Sequence, residues 1–366
     1  MKNRVLSIYF CMMLLAGIIL HLAVSDKYYS ESEKRTLTQF PKFTIKSFAA
    51  GEYSEKLEKY LADQFPGRDG WITVRTLAEL GIGMHECNGV YFGKNGYLIS
   101  SFDEYDRNQF EKNVSVLEKF SGNMKEKGIE VRVMLVPTAV EILDDKLPQY
   151  ATHISQKELL DYVKGRELDV VDVSDILSEH KSEYIYYKTD HHYTSLGAYY
   201  CYCVWKQAKG ESPEPLWTWE KEVLSGNFRG TGYSKVNYPF APYDIITAYY
   251  KNDTHRVDYN AGNYVTNSIY EKKYLDGKDK YAVFLNSNQA TTVVDGGGEG
   301  RLLIIKDSYA NCFAQFVIDE YEQTHMIDMR FYKKSVSEYI EKNGITEVLV
   351  LYNIPNFADD AAFYPY

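Results

Sequence analysis

A serine hydroxyl is a poor nucleophile until a neighbouring base takes its proton, and imidazole, with an ordinary pKa of about 6.5, is the natural base near neutrality. A carboxylate must then hold the imidazole tautomer and stabilise the imidazolium. Two segments of this 366-residue chain supply the three groups. In the first, Leu302-Leu303-Ile304-Ile305 reads as a buried strand that runs directly into Lys306-Asp307-Ser308-Tyr309-Ala310-Asn311. That places Ser308 at the carboxyl end of a strand, where open α/β sheets bind their ligands. In the second, Tyr187-Lys188-Thr189-Asp190-His191-His192-Tyr193-Thr194, Asp190 and His192 stand two residues apart. Residues i and i+2 share a face in an extended segment, and a tight turn also brings them close. The spacing therefore nominates Ser308 as nucleophile, His192 as its base and Asp190 as the carboxylate behind the base.

An oxyanion formed at Ser308 needs donors. The backbone N–H groups of Ser308 and Tyr309, at the start of a helix expected from about Asn311, are the first candidates. Asn353 after the last strand, and Asn227 and Arg229 in Gly226-Asn227-Phe228-Arg229-Gly230, are side-chain candidates, with Asn353 read more readily as a turn residue. Asp307 also reads as a cap for the following helix. His191 and Tyr193 flank the base and are expected to support it rather than react. A metal reading of Asp190-His191-His192 is weaker, because adjacent rings rarely aim at one ion and no further ligand cluster stands at a suitable spacing. Neither a metal nor another cofactor is expected.

Elements must position these segments. Asn108–Lys127 is an amphipathic helix, Val131–Val136 a buried strand, Lys157–Lys164 a helix and Val170–Val173 a strand. Ser195–Ala208 is helical, Leu302–Ile305 and Met326–Phe331 are strands, Val336–Lys342 is a helix and Val348–Tyr352 the last strand. Strands alternating with helices predict a doubly wound α/β sheet with a parallel core. Residues 215–300, rich in Tyr, Asn and Gly, break the alternation and read as inserted hairpins. Upstream, Phe48–Phe65 has helical spacing and stops at Pro66-Gly67. Residues 89–99 read as a hairpin turning at Asn95-Gly96.

At the N-terminus Lys2 and Arg4 precede an apolar run from Val5 to Val24. Its length suits a spanning helix, and the positive-inside rule then places residues 26–366 outside the cytoplasm. A cleaved signal peptide ending near Ala23 and Ser25 gives the same placement. The organisation expected is an anchor or signal over 1–25, a stalk and hairpin extension over 26–100 with the polar stretch Ser30–Arg35, and a catalytic domain over 101–366 carrying the 215–300 insertion. A net charge of −10, without a basic run longer than two residues, argues against nucleic acid as partner. The five cysteines match no zinc spacing and read as free thiols, and the 34 tyrosines read as composition bias ahead of sugar-stacking platforms.

At Thr189-Asp190-His191-His192-Tyr193-Thr194 and Lys306-Asp307-Ser308-Tyr309-Ala310 the chain resembles the DHHW protein family, with Tyr193 where the family name has Trp. That family is similar to the periplasmic alginate O-acetylation proteins, whose SGNH-hydrolase-like domain also carries Asp-x-His before its serine motif. Gly89-Val90-Tyr91-Phe92-Gly93-Lys94-Asn95-Gly96-Tyr97-Leu98 resembles the hairpin preceding that domain, and the segments around Arg35, Leu37 and Pro41 and at Phe65-Pro66-Gly67-Arg68 resemble its N-terminal region. The strand here leads into Lys-Asp-Ser rather than Gly-Asp-Ser. The resemblance implies a three-layer α/β/α SGNH-like fold and serine-dependent O-acetylation of a cell-wall or extracellular glycan. It further implies an acetyl donor supplied by a membrane-bound O-acyltransferase, beside which the N-terminal helix would hold the enzyme. An acetylesterase with the same triad, a non-catalytic glycan-binding or scaffold protein, and a metal-dependent hydrolase are the alternatives.

Overall fold

The computed structural model describes residues 2–30, 35–252 and 254–366, and divides into two compact units, Met1–Met84 with Ser234–Phe240 and His85–Tyr233 with Ala241–Tyr366.

The first unit is helical. Its opening helix, Lys2–Ala23, exposes Val5, Leu6, Ile8, Phe10, Leu15 and Ile18. The side chains of residues 2–4, which include the expected basic flank, and of residues 13, 14 and 22 lie outside the description. Among the described residues no helix is long and apolar enough to cross a membrane. Residues 31–34, most of the polar stretch Ser30–Arg35 in the expected stalk, also fall outside the described residues. The helix expected over Phe48–Phe65 is two helices, Ile45–Ala49 and Glu52–Asp63, because Gly51 takes a left-handed φ of 79° between them. A backbone turn of that sign favours glycine and ends a right-handed helix.

The second unit is built on an eight-stranded sheet. In chain order its strands are Glu130–Val136 (β1), Asp169–Val170 (β2), Val257–Tyr259 (β3), Tyr264–Thr266 (β4), Thr291–Asp295 (β5), Arg301–Lys306 (β6), Gln323–Ile327 (β7) and Glu347–Asn353 (β8). Across the sheet they run β4–β3–β5–β7–β6–β8–β1–β2. The five from β7 to β2 are parallel, and the three from β4 to β5 extend them antiparallel. This is a mixed α/β fold with a large, mainly parallel sheet. The central parallel strands β6, β8 and β1 carry apolar runs buried on both faces, as such sheets require. Arg107–Glu126 begins on an Asp106 cap, buries Phe110, Val114, Leu117 and Phe120, and packs on β1. Ser195–Ala208, capped by Thr194, packs on the short helix after β6.

Three expectations shift. The strand placed at Met326–Phe331 is Gln323–Ile327: its first residues are polar, and Asp328, paired with Arg330 at 2.6 Å, ends it. The helix expected from about Asn311 is one α turn, Ala310–Phe313, continued as 3-10 over Ala314–Phe316, so no long helix dipole faces Ser308. Within residues 215–300, a ribbon of Glu220–Phe228 and Asp244–Tyr250 stands apart from the main sheet, whereas β3, β4 and β5 belong to it. The Asn95-Gly96 turn forms as expected, both residues having positive φ (59° and 79°), between Val90–Phe92 and Leu98–Ser100.

Candidate active site

Strand β6 delivers Ser308. Ile305 pairs with Ile327 on one side and Val350 on the other, and Lys306 pairs with Leu351, so the chain leaves the sheet between two parallel neighbours. Asp307 still donates its N–H to the Leu351 carbonyl, at 3.2 Å. Its buried carboxylate then organises the turn. One oxygen accepts the Tyr309 N–H at 2.8 Å, and the other accepts the Asn353 N–H at 3.0 Å, the Asn353 amide at 2.7 Å and the Asn356 amide at 2.9 Å. Burial raises the Asp307 pKa, and the N–H donors oppose that rise.

The second loop is closed by the bridge between Tyr186 and Tyr193 and by the Tyr187 N–H donated to the His192 carbonyl, at 3.2 Å. Asp190 and His192 are therefore brought together by a tight turn, not an extended segment. Asp244 staples the turn from the neighbouring ribbon, accepting the Lys188 and Thr189 N–H groups at 2.8 Å each.

The two loops meet. His192 Nδ1 lies 2.5 Å from Asp190 Oδ1, which also accepts the His192 N–H at 3.0 Å. His192 Nε2 lies 2.7 Å from Ser308 Oγ. With the carboxylate accepting at Nδ1, that nitrogen carries the proton and Nε2 faces the hydroxyl as an acceptor. The other Asp190 oxygen accepts the Thr231 N–H at 2.8 Å and the Thr231 hydroxyl at 3.1 Å. Asp190, His192 and Ser308 are 2%, 4% and 9% exposed, so water competes little for these bonds.

The surrounding residues divide in two. Tyr193 donates its phenol to the Tyr309 carbonyl at 2.9 Å, Tyr309 donates its own to the His191 carbonyl at 2.5 Å, and His191 Nδ1 lies 2.6 Å from the Thr231 hydroxyl. These contacts lock the loops to each other. The proposed oxyanion donors are mostly engaged elsewhere. The Tyr309 N–H is given to Asp307, and Asn353 spends its amide on Asp307 while its oxygen caps the last helix at the Asn356 N–H, 2.9 Å away. Asn227 is exposed, its oxygen accepting the Ser225 hydroxyl at 2.9 Å. Arg229 lies over the Tyr233 and Tyr243 rings, 4.6 and 4.1 Å from their centroids, and donates to the Ala241 carbonyl. Among the described residues, no acceptor is paired with the Ser308 N–H.

Several contributors carried no sequence signal strong enough to name them. Tyr281 stacks on the His192 ring, with centroids 3.8 Å apart and planes at 12°, and donates its hydroxyl to the Ser308 carbonyl at 3.1 Å. Thr231 clamps Asp190. Gly230 must be glycine, because a Cβ there would lie 2.1 Å from an Asp190 oxygen. The Gly226–Gly230 motif drew attention to this loop, but to the wrong members of it.

Asp190, His191 and His192 are also a group whose ligand atoms all lie within 4.8 Å of one another. Both Asp190 oxygens, His191 Nδ1 and both His192 nitrogens already have hydrogen-bond partners, so a cation would have to displace Thr231 or Ser308.

A mainly parallel α/β sheet with a serine beyond one strand, contacting an imidazole that is itself bonded to a carboxylate, defines the class. Within it, the sequence pattern of the DHHW protein family matches residues 33–89 and 85–327, and the chain belongs to that family. A DHHW family protein from Eubacterium siraeum has the same fold, with a TM-score of 0.65 at 25% identity over 76% of this chain and 94% of that one. Bacillus cereus PatB1, solved with a sulfonyl adduct, gives 0.63 at 19% identity over 75% and 99% of the two chains. The O-acetyltransferase domain of Pseudomonas putida AlgJ gives 0.50 at 10% over 75% and 94%. No curated protein matches the chain in sequence.

Proposed function

We propose that this protein is a serine-dependent O-acetyltransferase, with Ser308 as nucleophile, His192 as general base and Asp190 as the carboxylate that holds it. The observation that carries the reading is the continuous chain from Asp190 through His192 Nδ1 (2.5 Å) and Nε2 to Ser308 Oγ (2.7 Å). Both distances lie within the reach proton transfer needs, whereas a non-catalytic scaffold has no use for that alignment. The likeness in fold to an O-acetyltransferase domain supports acyl transfer as the reaction class.

As the Ser308 Oγ bonds to the acetyl carbon, His192 Nε2 takes the hydroxyl proton. The Ser308 N–H donates to the carbonyl oxygen as it becomes an oxyanion. The tetrahedral intermediate collapses by breaking the bond to the donor's leaving oxygen, which receives the proton from the imidazolium. An acceptor hydroxyl then repeats the sequence in reverse: its proton passes to Nε2, its oxygen bonds to the acetyl carbon, and Ser308 leaves with the proton returned. A sugar hydroxyl gives transfer and water gives esterase activity. The burial of His192 and Ser308, with Tyr281 over the imidazole, restricts water and favours transfer. The acceptor we propose is a cell-wall or extracellular glycan. We place the enzyme outside the cytoplasm, with a membrane-bound acyltransferase supplying the acetyl group.

The test is acetyl release from an activated acetyl ester by the full chain in detergent, wild type against Ser308→Ala and His192→Ala. Each substitution is expected to lower kcat by at least about 100-fold. Added oligosaccharide that collects the acetyl group identifies transfer, and free acetate alone identifies an esterase. Equal activity in all three proteins sinks the serine mechanism.

A further inference from the structure

Strand β6 ends in a lysine whose side chain is only 1% exposed as a residue, directly behind the serine loop. Its Nζ lies 2.7 Å from Asn311 Oδ1, 3.2 Å from Asn288 Oδ1 and 3.4 Å from the Asp307 carbonyl oxygen. An ammonium has three N–H donors and no acceptor. Three oxygens around Nζ therefore match the charged form, and a neutral amine, with two donors, must release one of them. The longest and weakest of the three is the one to Asp307.

That carbonyl belongs to the same peptide group as the Ser308 N–H. A trans peptide is planar, with its C=O and N–H pointing in opposite directions. A cation on the carbonyl thus fixes where the amide hydrogen aims. The Asp307 N–H is tied to Leu351 and the Tyr309 N–H to Asp307, whereas the Ser308 N–H between them lacks an acceptor among the described residues.

We infer that Lys306 is a positioning residue: its ammonium holds the Asp307 carbonyl and thereby aims the Ser308 N–H, as oxyanion donor, away from itself. The inference rests on the acyl-transfer reading of Ser308. A glycine in this position has no side chain to hold that carbonyl, whereas the lysine fixes the peptide by charge and hydrogen bonding.

The arrangement has a pH signature. Burial pulls the Lys306 pKa down to about 8, with Asp328 and Asp307 acting to raise it and the Arg330 guanidinium to lower it. The thiol and phenols beside the turn stay protonated in that range: burial pushes Cys312 up to about 12 and holds the Tyr281 and Tyr309 phenols well above their ordinary value. Proton loss from Lys306 frees the Asp307 carbonyl, so activity falls as pH rises through the lysine's pKa.

The experiment is the pH dependence of kcat for an activated acetyl ester between pH 6 and 10, on the full chain as wild type, Lys306→Met and Ser308→Ala, with thermal unfolding of each. Wild type is expected to lose kcat with a single proton above about pH 8. Lys306→Met is expected to sit about 30- to 100-fold lower in kcat, up to the low end of the cost of losing an oxyanion donor outright, with KM little changed and no alkaline limb. A lysine that merely filled space would alter unfolding and leave the limb in place. A wild-type kcat flat from pH 7 to 10 overturns the inference without any variant, as does a folded Lys306→Met protein that keeps the limb. Should wild type be no more active than Ser308→Ala, the acyl-transfer reading itself fails and the inference falls with it.

Discussion

Two buried carboxylates stand at the ends of two loops that meet at Ser308, and they are used in opposite ways. Asp190 accepts from one imidazole nitrogen, its own turn and Thr231. Asp307 accepts only from amides: the N–H of Tyr309, both nitrogens of Asn353, and Asn356. A carboxylate bonded to a titratable ring governs which tautomer the ring adopts and stabilises its cation. A carboxylate bonded to fixed amides has no proton to govern and acts as a nail between the serine turn and the end of β8. Neighbourhood, not residue type, therefore separates a chemical role from an architectural one, and near-isosteric substitution at each position distinguishes the two.

Asp190→Asn carries the largest expected effect. The amide can keep its oxygen on Thr231 only by turning its NH2 toward His192, where both the backbone N–H and the Nδ1 proton already point. The ring escapes that donor-to-donor clash by moving its proton to Nε2, which then cannot take one from Ser308. The expected loss in kcat is about 1,000-fold or more, with a thermal midpoint close to wild type. Steady-state kinetics beside a melting curve checks both, and a loss under tenfold would mean that Asp190 is as architectural as Asp307.

Asp307→Asn should give the reverse pattern. Its oxygen would stay on the side of Asn353 and Asn356, where three N–H groups converge, leaving an NH2 against the Tyr309 N–H. One unmade buried hydrogen bond and one donor clash cost about 1–3 kcal/mol of stability. The expected kcat loss is about tenfold, arising from slack in the turn. A denaturant titration measures the first and steady-state kinetics the second. If the activity loss equals that of Asp190→Asn while stability is unchanged, the contrast between the two acids is wrong.

The same contrast explains how much the sequence could tell. Ser308, His192 and Asp190 were legible because each motif is local: a strand that stops at a serine, and an Asp and a His two apart. The parallel core was legible because Val133–Val136, Leu302–Ile305 and Val348–Tyr352 are unbroken apolar runs with helices between them. What escaped reading is held by partners distant in sequence. Thr231 and Gly230 press on Asp190 from 40 or so positions away, Tyr281 covers His192 from nearly 90, and β3 and β4 have three residues each, too few to show a period. Asn353 was noticed for its place after a strand, but that its amide turns to Asp307 depends on the register between β6 and β8, which no local pattern encodes.

Tyr281 joins the two loops, and loss of its hydroxyl alone gives the smallest expected effect. Its ring lies on His192 and its hydroxyl on the Ser308 carbonyl, so one side chain touches the carboxylate–imidazole side and the serine side together. Tyr281→Phe removes only the hydroxyl bond. The ring still packs, the imidazole stays shielded, and a neutral hydrogen bond of this kind is worth about 1 kcal/mol, so kcat should fall by no more than about fivefold. Tyr281→Ala also removes the stack that fixes the ring plane and keeps water from Nε2. Its kcat should fall further, by about ten- to thirtyfold, and more of the acetyl group should pass to water than to a sugar acceptor. The ratio of free acetate to acetylated acceptor, measured for both variants, separates the two contributions. If Phe and Ala are equally impaired with the same product ratio, the bond to the serine loop is what matters and the stack is only packing. If Phe is near wild type and Ala leaks to water, the aromatic lid belongs to the imidazole side, and the choice between transferase and esterase is set by a residue of the inserted segment.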